Sequence, residues 1–252
     1  MKSKFFYFII NCLILSNLFS LEQSNANSIL STVSTRLEGK DYSFNLQIFK
    51  KKRSKKADFR VFKIWVHWPS NSDIYKMSLV KTVLPENLKD VNYLEHRFQN
   101  SKLDKRWMTL PITKQIKDVS NKKISKNEFD FSEIEINHSI IDNSTNVIIE
   151  EFFFNEHDVW IIKSTNKNKS YKKFWIDKVD FFIHKIEFYS RRDKLIKIIE
   201  FGDLFDFNNI IIPLGIYVND IKKSTTYNLK IDQFLFNSIT DLKIFDLEMI
   251  KD

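Results

Sequence analysis

The chain has 252 residues and a formal net charge of +8, from 40 basic and 32 acidic side chains. It contains three widely separated glycines and a single cysteine, Cys12. Glycine-rich loops that cradle phosphates or dinucleotides are therefore excluded, as is an intramolecular disulfide. The positive charge favours acidic partners, such as anionic lipid head groups or an acidic protein surface.

The first 26 residues have the pattern of a secretory signal peptide. Two lysines precede an apolar run, Phe5–Phe19, and small residues follow at Ser24–Ala26. The run is shorter than the ~20 residues of a membrane-spanning helix. We therefore expect a signal peptide over residues 1–26 that is cleaved after Ala26 or, alternatively, after Ser20. An uncleaved anchor is the remaining alternative.

Export sets both the compartment and the domain organisation. Residues 27–252 are predicted to form a single periplasmic domain, because no repeat, linker or charge boundary divides them. Cys12 lies in the apolar run and would be removed with it, so the domain must be held together by its own core. An exported protein rarely meets nucleic acid, and we expect no nucleic-acid partner.

The predicted domain begins with a helix and continues as strands. Apolar residues recur at helical spacing from Ser28 to Leu37, and Gly39 ends that helix. Alternation of apolar and polar residues follows, which indicates strands. These first strands are Tyr42–Ile48, Phe59–Trp68 and Tyr75–Leu84.

A different pattern precedes the later strands. Leu88, Val91 and Leu94 recur every three residues, which predicts one or two helical turns within Pro85–Phe98. Asn127–Ile136 is predicted to be irregular or helical. Further strands are expected at Lys105–Pro111, Gln115–Ser120, Val147–Phe154, Val159–Ser164, Tyr171–Ile176, Phe181–Ser190, Leu195–Phe201, Asn209–Leu214 and Thr225–Phe236, with Asn237–Phe245 closing the sheet.

These elements together predict a mainly β (α+β) fold of about eleven strands in meander order. Several strands alternate apolar and polar residues, which is typical of an antiparallel sheet with one covered face and one face in water. A sheet this long must curl. We therefore expect a half-open antiparallel β-barrel with the helices as a lid on its concave side.

Catalytic and metal-binding patterns are not evident in the sequence. None of the five histidines is paired at helical spacing, and Glu156, His157 and Asp158 alternate between faces of a strand. We predict no metal site and no cofactor, and we interpret His184 as a core histidine with its hydrogen bonds satisfied. The acidic pair Glu133 and Glu135 is interpreted as solvated. The chain is therefore predicted not to be an enzyme.

The segment Lys50–Lys56 carries six cations in seven residues. Such a run can contact an anionic membrane surface, at about 1 kcal/mol per cation. It can equally be a solvated hairpin tip that protects a strand edge with lysine. The second interpretation is favoured.

Several motifs occur in an order that resembles the bacterial outer-membrane lipoprotein-sorting family, relatives of the periplasmic lipoprotein carrier LolA. The resemblance extends from about Tyr42 to Phe245. Its landmarks are Phe59–Phe62, Trp107–Pro111, the aromatic and acidic segment Phe129–Ile134, Trp175–Asp177, the Lys185, Glu187 and Tyr189 strand, and Ser224–Thr226.

The resemblance implies a LolA/LolB-like carrier that shields lipoprotein acyl chains in an apolar cavity and helps to sort lipoproteins to the outer membrane. Its partners would be acylated lipoproteins or lipids, an inner-membrane release complex and an outer-membrane acceptor. Arg60 is the nearest match for an arginine that controls the lid. Strand parity selects the cavity lining, which with Arg60 comprises Phe44, Leu46, Ile48, Phe62, Ile64, Val66, Trp68, Phe182, Ile186 and Phe188.

Three alternatives stay open at this point. The protein could carry another lipid, such as a glycolipid or a phospholipid. It could be a non-enzymatic binding or scaffold protein of the cell envelope. It could also be a hydrolase whose catalytic residues converge from distant segments.

Overall fold

A computed structural model describes residues 25–53, 55–70, 72–89, 91–99, 103–120, 133–136 and 138–251. The predicted signal peptide lies outside this range except for Asn25 and Ala26. Most of the aromatic and acidic segment Phe129–Ile134 also lies outside it, and only Glu133 and Ile134 can be placed.

Strands make up most of the described chain. They are β1 (Tyr42–Lys52), β2 (Asp58–His67), β3 (Ile74–Leu84), β4 (Asn92–Phe98), β5 (Lys105–Thr109), β6 (Ile116–Asp118), β7 (Ser144–Phe154), β8 (His157–Asn166), β9 (Tyr171–Asp177), β10 (Ile183–Tyr189), β11 (Leu195–Phe207), β12 (Ile210–Asp220) and β13 (Thr225–Phe236).

Among the described residues, helical structure is limited to short pieces. Residues 25–35 form α1, and His138–Asn143 form α2. Short 3-10 helices occupy Glu86–Leu88, Leu242–Phe245 and Leu247–Lys251. The predicted helix before Gly39 is confirmed, and Gly39 follows its C-terminal turn with a φ of 72°, a conformation that glycine adopts at no steric cost.

All strands belong to one antiparallel sheet of thirteen strands. Its order is β6-β5-β4-β3-β2-β1-β13-β12-β11-β10-β9-β8-β7, so two meanders are joined where β1 pairs with β13. At this junction Leu46 lies opposite Ile231 on one side and opposite Phe62 on the other. The mainly β, antiparallel class is confirmed, but the sheet has more strands than predicted.

Two segments differ from their predictions. The helical turn expected within Pro85–Phe98 is present as the 3-10 turn Glu86–Leu88, but the unexpected strand β4 follows it. Spacing by three is compatible with a helix, but pairing with β3 and β5 satisfies the backbone of this segment instead. Asn237–Phe245 does not close the sheet, because its end is a 3-10 helix that packs on a sheet face through the buried Phe245.

One face of the sheet, here called the helix-covered face, packs against α1. Buried apolar residues from both meanders form one cluster on it, with Leu46, Ile64, Ile186 and Leu229 among them. The buried residues of α1 in the same cluster are Ala26, Ile29 and Leu30. Ile140 and Ile141 of α2 also pack against it.

The opposite face is not wet throughout, which corrects the expectation of one covered and one exposed face. Leu79 and Leu94 pack there beneath Phe245 and Ile250 of the C-terminal 3-10 helices. A second patch joins Val159, Ile161 and Trp175. The C-terminal segment thus supplies a cover that the alternation of single strands cannot reveal.

Candidate functional site: the helix-covered face

The predicted lining residues converge on the helix-covered face. Leu46, Ile48, Ile64, Val66 and Ile186 are buried members of its cluster. The partly buried members are Phe44, Phe62, Trp68 and Phe188. Phe182 is also buried, and its ring meets that of Phe201 edge to face at 5.9 Å. These side chains lie together because antiparallel pairing aligns residues of equal parity.

Arg60 shares this side of the sheet, since it lies opposite Ile48. Its Nε atom lies 3.2 Å from Oδ2 of Asp58, two residues earlier in the same strand. The structure therefore places Arg60 in an ion pair within β2, near the β1–β2 turn.

A different arginine ties the covering helix to the sheet. Arg36 follows α1 directly, and its Nε donates to the carbonyl oxygen of Asp180 at 3.0 Å. Its Nη2 donates to the carbonyl oxygen of Ile211 at 3.1 Å, and the guanidinium lies 5.2 Å from the ring centre of Phe182. Burial lowers the pKa of Arg36, an effect that the nearby Asp180 and Asp177 oppose. Sequence reasoning missed this residue, although an arginine directly after an apolar helix stripe was visible.

A second tie joins α1 to β7. The side-chain amide of Asn146 donates to Oδ1 of Asn27 at 2.8 Å. Asn146 is fully buried, so this polar contact lies within the apolar contact between the helix and the sheet.

Residues 133–136 form a further part of the cover. Ile134 and Ile136 pack on the apolar cluster. Glu133, which precedes Ile134, accepts hydrogen bonds from Lys197 of β11. Glu135, which lies between the two isoleucines, accepts one from Arg97 of β4 at 2.7 Å. This short segment therefore connects strands of both meanders.

The interpretation of Glu133 and Glu135 as a solvated pair was wrong. Each carboxylate is paired with a basic residue of the sheet. In addition to its bond from Arg97, Glu135 accepts a hydrogen bond from Lys76 of β3 at 3.2 Å. Burial raises the pKa of Glu135, but Lys76 and Arg97 outweigh it and hold this pKa at about 2. The basic residues that pair with these acids come from β3, β4 and β11, so these ion pairs cannot be predicted from residue spacing along the chain.

The run Lys50–Lys56 is divided between a strand and a turn. Lys50–Lys52 belong to β1 and pair with β13, while the exposed Lys55 and Lys56 lie in the connection to β2. The predicted hairpin is confirmed, since β1 and β2 pair as far as Lys50 and Asp58.

The helix-covered face offers aromatic and aliphatic surface for an apolar ligand. Tyr42 stacks on Phe234 at 5.2 Å, and Phe44 stacks on the same ring at 5.8 Å. α1 and residues 133–136 pack on this surface. Within the described part of the chain no helix combines the length and hydropathy needed to cross a bilayer.

Solved structures with the same architecture are known. A DUF1329 family protein from Desulfovibrio piger superposes with a TM-score of 0.77 and 14% identity, over 91% of this chain and 99% of the other. A domain from Vibrio parahaemolyticus, named for outer membrane lipoprotein sorting, gives 0.75 and 17%, over 91% and 100%. A LolA superfamily protein from Nitrosomonas europaea gives 0.64 and 17%, over 88% and 98%.

These similarities show the fold: the chain folds like the LolA superfamily protein and the domain named for outer-membrane lipoprotein sorting. A family model described as "uncharacterized protein"-like matches residues 75–252, which is more than half of the chain. The chain belongs to that family. No curated protein matches its sequence.

Proposed function

We propose that this protein is a non-enzymatic periplasmic carrier that shields lipoprotein acyl chains on its helix-covered face. One observation carries the proposal. A continuous apolar surface runs through both meanders and is closed by short elements rather than by a second sheet. The LolA-type fold supports the same assignment.

The energetics suit a carrier. Burial is worth about 0.8 kcal/mol per methylene, so a chain of ~15 methylenes costs on the order of 12 kcal/mol to expose. Opening the cover exposes apolar residues of α1 and of the sheet, and an incoming acyl chain covers the sheet again. Opening also breaks the hydrogen bonds of Arg36 and Asn27 and the ion pairs of Glu133 and Glu135.

The proposed partners follow from this role. They are acylated lipoproteins as cargo, an inner-membrane complex that releases them and an outer-membrane acceptor. Contact with an anionic membrane surface through Lys50–Lys56 would bring the carrier to its donor or acceptor, because cations near such a surface are attracted to it.

The structure also bears on processing. Ala26 is fully buried in α1, and Asn27 bonds to Asn146. Cleavage after Ala26 would remove a core residue and place a charged amino terminus on Asn27. We therefore favour cleavage after Ser20, so that the mature chain begins at Leu21; mass spectrometry of the periplasmic protein would show this mass, whereas a chain starting at Asn27 would contradict it.

The carrier role is tested by its cargo. Protein isolated from the periplasm should contain acylated lipoprotein by mass spectrometry, and the delipidated protein should bind a fluorescent fatty acyl probe. A phospholipid or glycolipid found instead would assign a different lipid cargo. Repeated isolation without any acyl compound, together with no probe binding, would contradict the proposal.

A matched pair of variants locates the binding surface. Phe62→Glu places a charge on the helix-covered face and should abolish probe binding, because a buried charge without a partner is unfavourable. Phe59→Glu in the same strand lies on the opposite, exposed side and should bind normally. Equal binding by both variants would place the lipid elsewhere.

The scaffold alternative predicts another result. Neutralising Lys50–Lys56 would then abolish partner binding without changing lipid binding. A carrier should also keep its acyl cargo in this variant, but it should keep its protein partners as well and lose only membrane association.

A further inference from the structure

Three side chains with metal-ligand chemistry meet at one end of β8, β9 and β10. His157 is the first residue of β8, Asp177 is the last residue of β9, and His184 is the second residue of β10. Antiparallel pairing brings these ends together, since Val159 lies opposite Asp177 and Ile183 lies opposite Ile176. Sequence reasoning compared His157 only with its neighbours in the chain and did not connect it with the other two residues.

The three donor atoms point at one small volume. Nδ1 of His157 lies 2.7 Å from Oδ2 of Asp177, and Nε2 of His184 lies 3.3 Å from the same oxygen. All three donor atoms lie within 4.8 Å of one another. In a tetrahedral zinc site, ligands at ~2.0–2.1 Å from the metal are separated by about 3.3 Å. The separation between His184 Nε2 and Asp177 Oδ2 has this value, and that between His157 Nδ1 and Asp177 Oδ2 needs to lengthen by about half an ångström. The two imidazole nitrogens lie within 4.8 Å of each other.

Backbone hydrogen bonds orient the carboxylate of Asp177. The backbone N–H groups of Val179 and Asp180 donate to Oδ1 of Asp177 at 2.7 and 3.3 Å, which leaves Oδ2 directed at the imidazoles.

Two of the three side chains are buried and the third is partly exposed, as an accessible metal site requires. The side chains of Asp177 and His184 are 4% and 5% exposed, whereas that of His157 is 41% exposed. A cation can therefore enter past His157 and keep a water molecule as its fourth ligand. Binding requires His157 to carry its proton on the outward Nε2 and His184 to carry its proton on Nδ1.

We propose that His157, Asp177 and His184 form a binding site for a divalent transition metal of the zinc class. Two imidazoles and one carboxylate within 4.8 Å of one another are a ligand set that suits Zn²⁺. The metal would join the ends of three strands. It would also fix the turn after Asp177, whose Asp180 carbonyl accepts the hydrogen bond from Arg36.

The test is a calorimetric titration of Zn²⁺ into the untagged, chelator-stripped and delipidated chain. One equivalent should bind, and Co²⁺ should give the visible absorption of a four-coordinate site. His157→Gln should lower the affinity at least tenfold, because it removes one of three protein ligands. Asp177→Asn, which keeps the acceptor for Val179, should do the same.

A second histidine–aspartate pair provides the control. His67 Nδ1 lies 2.7 Å from Oδ2 of Asp41, the same hydrogen-bond distance as in the proposed site. His67→Gln should leave zinc binding unchanged. Wild-type binding no tighter than that of His157→Gln, or equal loss in His67→Gln, would show a purely hydrogen-bonded cluster and overturn the proposal. Because lipid is removed first, this result is independent of the carrier function.

Discussion

At the residue scale, the charged groups of the cover are placed where the sheet provides opposite charges. Glu133 reaches Lys197, and Glu135 reaches Lys76 and Arg97. A partly buried carboxylate without such partners would lose its hydration without compensation. These pairs therefore hold residues 133–136 in register over the apolar cluster.

The ion pairs of Glu135 predict a pH-dependent contribution to stability. The pKa of this carboxyl group is lowered from 4.5 to about 2, so its stabilising effect is present above 4.5 and is lost as the pH falls towards 2. Glu135→Gln should lower the free energy of unfolding at pH 7 by about 1 kcal/mol, because a group that is 36% exposed is screened by solvent. Urea unfolding at pH 7 and pH 3 measures this difference.

Glu151→Gln is the matched control for that measurement. Glu151 pairs with Lys178 at 2.6 Å but is mostly exposed, so little change is expected at either pH. A Glu135→Gln effect that is as large at pH 3 as at pH 7 would show that the ion pairs are not its cause.

At the element scale, α1 is a short helix that packing rather than intrinsic propensity keeps in place. Its apolar stripe of Ala26, Ile29 and Leu30 joins the sheet cluster, and Val33 packs beside them. Isolated helices of this length are marginal in water. Undocking of α1 should therefore expose the helix-covered face and unfold the helix at the same time.

Arg36→Ala is expected to favour this undocking. The variant loses two charged hydrogen bonds to carbonyl oxygens, which together stabilise the docked state by about 2 kcal/mol. Amide hydrogen exchange of residues 25–37 should become correspondingly faster, and the acyl probe should exchange more rapidly. Arg53→Ala, at the exposed β1–β2 turn, is the control and should show neither effect. Unchanged exchange in Arg36→Ala would mean that apolar packing alone holds α1.

At the scale of the whole molecule, the β1–β13 pair makes two meanders into one sheet. Leu229 of β13 lies opposite Ile48 of β1 and Ile216 of β12, and it is fully buried. The first and last strands of the sheet in sequence thus become its centre. A chain with this topology must bring its distant ends together before the central contacts form.

Leu229→Ala should therefore destabilise the entire domain. A cavity at a fully buried leucine costs about 3 kcal/mol, and circular dichroism should show a single transition shifted to lower denaturant concentration for both meanders together. Leu235→Ala in the same strand removes an exposed side chain and should change stability by less than about 0.5 kcal/mol. A second transition in Leu229→Ala would show that the meanders unfold separately.

Local sequence patterns correctly predicted the strands in which buried and exposed positions alternate regularly. Strands β1 and β2 alternate against partners on both sides, so their inward residues, such as Leu46 and Ile64, could be assigned by parity. Strand β4 was missed because its Leu94 and the preceding Val91 also fit a helical spacing. Only pairing with β3 and β5 decides between the two.

The sequence alone determined the antiparallel β class, the helix before Gly39 and the apolar parity of the strands, because these depend on periodicity and backbone preferences within a few residues. The tertiary structure decided which strands meet at the centre, which arginine ties α1 to the sheet, which cations pair with Glu135, and that His157, Asp177 and His184 converge. These features join residues far apart in the chain, and hydrogen bonding and electrostatics act over distances in space rather than along the sequence.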